Sequence, residues 1–214
     1  MELILKIALF APPVLLAITL HEVAHGWAAR SLGDPTAAQL GRLTLNPIKH
    51  IDPVGTILIP AILFILPGNF LFGWAKPVPV DMSRLHQPKR DMALVAAAGP
   101  ASNFIMAVLW AIVVKWGYSM DAGLLRDICL GMGTVGILIN LVLMVLNLIP
   151  VPPLDGGRVL AGVLPDNMSE ALGRLEPYGL FIIFGLLATG LLSQIISGPM
   201  EFFGSLIQQL VNLK

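Results

Sequence analysis

Apolar residues run almost unbroken from Leu3 to Leu20, with Lys6 and Thr19 as the exceptions, and the run ends in His21-Glu22-Val23-Ala24-His25. About 20 apolar residues suffice for a helix to cross a bilayer core, so the stretch from about Met1 to Arg30 predicts a membrane span. It is too long and too polar at its end for a cleavable leader and reads as retained, with an interruption at Pro12-Pro13. The same rule predicts spans at about 54–72, 92–116, 128–149 and 178–197, about five in all. The second is punctuated by Gly55, Pro60, Pro67 and Gly68, the pattern of a partly re-entrant segment, because broken backbone at membrane depth needs protein or a wet cavity beside it. After Met200, Phe202, Phe203, Leu206, Ile207, Leu210 and Val211 recur at helical spacing opposite Gln208, Gln209 and Asn212. That pattern predicts an amphipathic helix over 200–214 lying in the membrane interface.

The polar connections, roughly 30–53, 73–91 and 150–177, are too short to hold an inserted globular domain of about 50 residues or more. The chain therefore reads as one membrane domain over 1–199 followed by the interfacial tail 200–214. Composition agrees: 56% of residues are hydrophobic and 12% charged, against about 25% charged in soluble domains. The expected fold is an all-α, multi-pass membrane protein. A net charge of zero and no basic run longer than Lys89-Arg90 exclude a nucleic-acid footprint. Lysine and arginine are divided almost evenly between alternating loops, so charge does not set the orientation. Cys129 is the only cysteine, which excludes an internal disulfide and a thiolate metal site; it reads as a small buried apolar residue.

Chemistry enters with the polar end of the first span. Residues four apart share a helix face, so His21 and His25 can hold one Zn²⁺ while Glu22 serves as general base toward a water at the metal. A charge at mid-bilayer costs about 2.5–3.5 kcal/mol even on the lenient scale, which makes a metal the economical partner for all three residues. A catalytic zinc needs a third protein ligand. Glu170, Glu176 and Glu201, the only glutamates after His25, lie in polar or interfacial stretches. Asp155 is better placed, following Asn147, Pro150, Pro152 and Pro153 and preceding Gly156-Gly157, where prolines fix the approach and glycines admit close backbone contact. Taken alone it reads equally as a turn aspartate capping a helix, and only the pairing with the two histidines favours the ligand. Asn147 could donate to a developing oxyanion, or could satisfy backbone freed by Pro150; Asn103 has a similar pair of readings, with a substrate contact as the functional one. His50 and His86 lie in polar loops beside basic residues and read as ordinary surface histidines. Gly131, Gly133, Gly136, Gly185 and Gly190 read as marks of close helix packing.

His-Glu-x-x-His in an early span, together with Asn147-x-x-Pro150-x-x-x-Leu154-Asp155-Gly156-Gly157, resembles the site-2 protease family of intramembrane zinc metalloproteases. Gly99-Pro100-x-x-Asn103 is similar to that family's middle element, and Gly41 through Asn46-Pro47 to its membrane-associated β-hairpin, so the resemblance covers about residues 15–160. It implies that His21, His25 and Asp155 bind Zn²⁺, that Glu22 is the base, and that the substrate is a membrane-spanning protein or peptide. No PDZ insertion is present in the sequence, which resembles the compact prokaryotic branch and implies the plasma membrane. An extended substrate would need an exposed edge, for which Leu40 to Leu45 and Gly73 to Val80 are the candidates. Two other readings fit parts of the pattern: a metal transporter using His21, Glu22, His25 and Asp155 as a transit site, and a catalytically silent relative that binds a membrane partner. The first gives no reason for a glutamate to adjoin the first histidine, and the second predicts loss of a residue that is present.

Overall fold

The computed structural model describes residues 2–59, 61–62 and 73–213. Helix α1 (Glu2–Ser31) holds the first apolar run. Pro12 and Pro13 stay inside it, as membrane helices tolerate when neighbours cover the freed backbone, and Pro13 is fully buried. A short helix α2 (Thr36–Gln39), a 3₁₀ turn (Pro47–His50), a π-helical turn (Pro53–Leu58) and an irregular stretch over 73–80 follow. Helix α3 (Pro88–Tyr118) begins with proline at its first position, where the missing N–H costs nothing, and Asp91 accepts from the Gln87 N–H at 2.7 Å. Next come α4 (Leu124–Asn147), α5 (Asp155–Val163), α6 (Asp166–Gly173), α7 (Gly179–Ala188) and α8 (Leu191–Val211).

Helix α3 is the centre of the bundle, with α1, α4, α5 and α8 packed on it. Close packing there follows from small residues: Ala96, Ala107 and Ala111 are buried, and a Cβ at Gly133 or Gly136 would run into Val114 or Trp110 of α3. This is the packing role expected of Gly133 and Gly136. Gly162 of α5 rests likewise on Ala93, while Lys89 Nζ donates to the Leu164 carbonyl at the end of α5 and to Asp166 at 2.7 Å. These contacts lock α5, and with it Asp155, against α3.

Among the described residues, four stretches are long and apolar enough to cross a membrane: Ile4–Ser31, Pro88–Tyr118, Leu124–Asn147 and Asp166–Ala188. Three match expected spans. The expected span at 54–72 lies for the most part outside the described residues. The span expected at 178–197 is instead two helices, because Gly190 takes φ 74°, a left-handed conformation that breaks the helix between α7 and α8. Helix α8 runs straight through the expected boundary at 199/200, and Ile207 and Val211 join Ala107, Ala111, Leu141 and Met144 in a buried cluster. Lys115 Nζ donates to the Val211 carbonyl at 2.6 Å, satisfying one of the orphan acceptors at the end of α8.

No strand forms among the described residues, and the stretch expected as a hairpin, Gly41 to Pro47, is a series of turns. Its bonding capacity goes elsewhere: the Thr44 carbonyl takes His50 Nε2 at 3.0 Å, and Leu43 packs over Gly26 of α1. His50, expected at the surface, is buried by this contact. The stretch 73–80 has no regular secondary structure, and its donors turn inward. Trp74 N–H reaches the Gly55 carbonyl at 3.1 Å, Lys76 N–H the His50 carbonyl at 2.9 Å and Val78 N–H the Glu22 carboxylate at 2.8 Å.

Candidate metal centre

Two helices bring three candidate ligand atoms together. His21 and His25 occupy one face of α1, and Asp155 is the first residue of α5, aimed by the turn that precedes it. That turn folds tightly: a Cβ at Gly156 would strike the Leu148 and Ile149 carbonyls, and one at Gly157 would strike Pro152. The paired glycines are therefore required where the chain doubles back. His21 Nε2 lies 3.2 Å and His25 Nε2 3.4 Å from Asp155 Oδ2, and the two Nε2 atoms are 3.1 Å apart. Helix α3 supplies the wall behind them. A Cβ on Gly99 would come within 2.6 Å of His21 Cε1 and closer still to the His25 ring, so only glycine fits there.

The ring protons can be assigned from groups that only accept. His25 Nδ1 lies 2.7 Å from the Val95 carbonyl, so Nδ1 carries the proton. Asn103 Nδ2 donates to the Ala17 carbonyl at 3.3 Å, which turns Asn103 Oδ1 toward His21 Nδ1 at 2.6 Å and makes that nitrogen a donor too. With neutral rings, both Nε2 atoms then present lone pairs to each other and to Asp155 Oδ2, which is buried without a hydrogen bond. Three acceptors converging on one point repel unless a cation sits among them. Ligand atoms about 2.0–2.1 Å from a tetrahedral zinc stand roughly 3.3 Å apart, which matches this spacing. Two imidazoles and one carboxylate are donor types that fit zinc, and three protein ligands are the number found in catalytic zinc sites. Among the described residues this is the one such cluster of His, Cys, Asp and Glu.

The other predicted residues are distributed around it. Glu22 is half-buried, with Oε2 held by the Val78 N–H at 2.8 Å. Asn103 is fully buried, with both ends of its amide engaged: Oδ1 on His21, Nδ2 on Ala17 and, at 2.8 Å, on Asn140 Oδ1. It supports a histidine from behind. Asn147 ends α4 with Nδ2 donating to the Leu143 carbonyl of the preceding turn at 2.9 Å, and no hydrogen bond among the described residues joins it to the three ligands. His86 packs near Gly33 and stands apart from the cluster. Val95, Gly99 and Asn140 escaped the sequence reading. Gly99 stood in the quoted Gly-Pro motif and Asn140 is a lone amide in an apolar run, itself a signal; a carbonyl acceptor such as Val95 leaves none.

A protein of Bacillus subtilis named "Putative zinc metalloprotease YwhC" is 39% identical over 192 residues, covering 87% of this chain and 83% of that protein. The chain belongs to Peptidase family M50, the site-2 protease family. The M50 family profile matches residues 119–187, which include Asp155. Two mycobacterial M50-type relatives, each named "Putative zinc metalloprotease Rip2", are also similar. The Mycolicibacterium smegmatis protein is 30% identical over 84% of this chain, and the Mycobacterium tuberculosis H37Rv protein 29% over 80%. The chain spans 66% and 63% of their lengths. No solved structure matches the chain with significance.

Proposed function

We propose that this M50 member is an intramembrane zinc endopeptidase that hydrolyses a peptide bond in or near a transmembrane segment of another membrane protein. The observation that carries the reading is the convergence of His21 Nε2, His25 Nε2 and Asp155 Oδ2 within 3.4 Å of one another, at the end of an apolar helix. Zinc bound there would supply Lewis acidity, activating water at neutral pH and polarising the peptide carbonyl. His21 and His25 offer neutral Nε2 atoms because Asn103 and Val95 hold their Nδ1 protons. Glu22 takes the proton from the attacking water and returns it to the leaving amine. The Val78 N–H fixes one of its oxygens and leaves the other for that task. Asn147 spends one Nδ2 proton on Leu143 and retains a second, which suits it to the developing oxyanion.

A bilayer-buried substrate is supported by the surroundings. A surface groove of about 610 Å³ beside the motif helix is lined by Leu20, Val23, Trp27, Leu43, Ile105 and Met106, an apolar lining suited to an apolar segment. The four long apolar helices fit a multi-pass protein in a lipid bilayer, and the bacterial relatives favour a prokaryotic plasma membrane. The transporter and silent-relative readings gain no observation of their own.

The test is to reconstitute the purified protein with single-span test substrates and map any cut by mass spectrometry. The reading predicts a zinc-dependent cut within the apolar span or within a few residues of its end. Cutting confined to soluble segments, or none across a varied substrate panel, would contradict it.

A further inference from the structure

Asn140 is fully buried in the middle of α4, within an apolar stretch where an amide is costly unless both its ends are satisfied. Its Nδ2 donates to the Gly136 carbonyl one turn earlier at 2.8 Å, so its Oδ1 is turned outward and accepts from Asn103 Nδ2, also at 2.8 Å. From there the order is forced. Asn103 Oδ1 faces His21 Nδ1, that nitrogen keeps its proton, and His21 Nε2 presents a lone pair to Asp155 and His25. We propose that Asn140 is a positioning residue of the metal centre, acting through Asn103 to set the tautomer and ring orientation of His21. This rests on the metal reading of the three ligands.

The geometry distinguishes this role from mere helix packing. Without Asn140, the Nδ2 end of Asn103 keeps only the longer 3.3 Å bond to Ala17, beside the Oδ1 contact with His21. Its amide is then held less firmly against turning over, a rotation that brings Nδ2 against the Nδ1–H of His21, donor against donor. The ring escapes that clash by moving its proton to Nε2, which places hydrogen where the metal would bind. A bond that only joined α3 to α4 would affect stability and leave metal affinity alone.

The test measures zinc affinity of the purified full-length protein in detergent by competition with a chromogenic chelator, with thermal unfolding alongside. Asn140→Ser keeps a hydroxyl able to bond the Gly136 carbonyl but too short to reach Asn103. It is expected to weaken zinc binding about tenfold, the lower end of the effect of a partner behind a metal ligand. Asn140→Asp, protonated in its buried site, keeps an acceptor for Asn103 and a donor for Gly136, and stays within about threefold of wild type. In an Asn103→Ala background, Asn140→Ser should cause no further loss, because the two act in series. Wild-type affinity in Asn140→Ser, or an equal loss with Asn103 absent, overturns the proposal. Absence of zinc binding by the wild type overturns the metal reading itself, and this inference with it.

Discussion

The backbone N–H of Val78 donates to Glu22 Oε2 at 2.8 Å, across 56 residues of sequence. Pro77 and Pro79 carry no N–H, so Val78 is the one donor of that tripeptide, delivered to the catalytic candidate. Val78→Pro removes the donor in a proline-flanked stretch outside any helix or strand. Since a hydrogen bond to a charged group contributes about 1.5–3 kcal/mol, kcat should fall roughly tenfold or more while zinc content stays at the wild-type level. Steady-state kinetics with metal analysis of the same preparation checks this; unchanged kcat would remove Val78 from the account.

Gly99→Ala places a methyl group against both imidazoles. Overpacking of this kind costs about 1–3 kcal/mol, and here the rings are the groups that must yield. Zinc affinity is expected to fall at least tenfold, with a lowered unfolding temperature. Affinity titration decides: a variant that is destabilised yet binds zinc normally would mean the rings are not displaced.

The ligand role of Asp155 has its own readout. Asp155→Ala removes one of three donors, so purified protein should lose most of its zinc, because ligand loss acts on affinity rather than only on chemistry. Equal zinc content in wild type and variant would refute the assignment.

A pH effect is expected at the junction after α1. Asp34, buried there, accepts from the Thr36 hydroxyl, from the Asp81 N–H at 2.7 Å and from the Thr36 N–H at 2.9 Å. Burial pushes its pKa up, but these donors outweigh burial and hold it below the ordinary carboxylate value. A depressed folded pKa means the stabilisation is complete above the unfolded value of about 3.9 and disappears as pH falls through the folded value. The protection factors against hydrogen exchange of the Asp81 and Thr36 amides, measured relative to the intrinsic rate at each pH, should therefore fall on acidification, and Asp34→Asn should flatten that dependence. Protection that rises with acidification would contradict the sign.

The sequence made His21, Glu22, His25 and Asp155 legible because helical spacing and a costly location are both local properties. What it left dark was long-range. Asn103 reads as a substrate contact or as a partner for freed backbone, and only the fold reveals that its amide is spent on His21, Ala17 and Asn140. The 178–197 run looked like one span because hydropathy continues across Gly190, and hydropathy carries no information about a φ of 74°. The Gly41 to Pro47 stretch has strand-compatible residues, but its Thr44 carbonyl pairs with His50 and its Leu43 packs on α1, contacts that no local pattern signals.

The most direct measurement compares purified wild type with Glu22→Gln for zinc content and for cleavage of a single-span substrate. The account predicts equal zinc in both and cleavage by wild type alone, a loss of about 10²–10⁴-fold on removing the general base. A Glu22→Gln protein that retains zinc and still cleaves at the wild-type rate would contradict it.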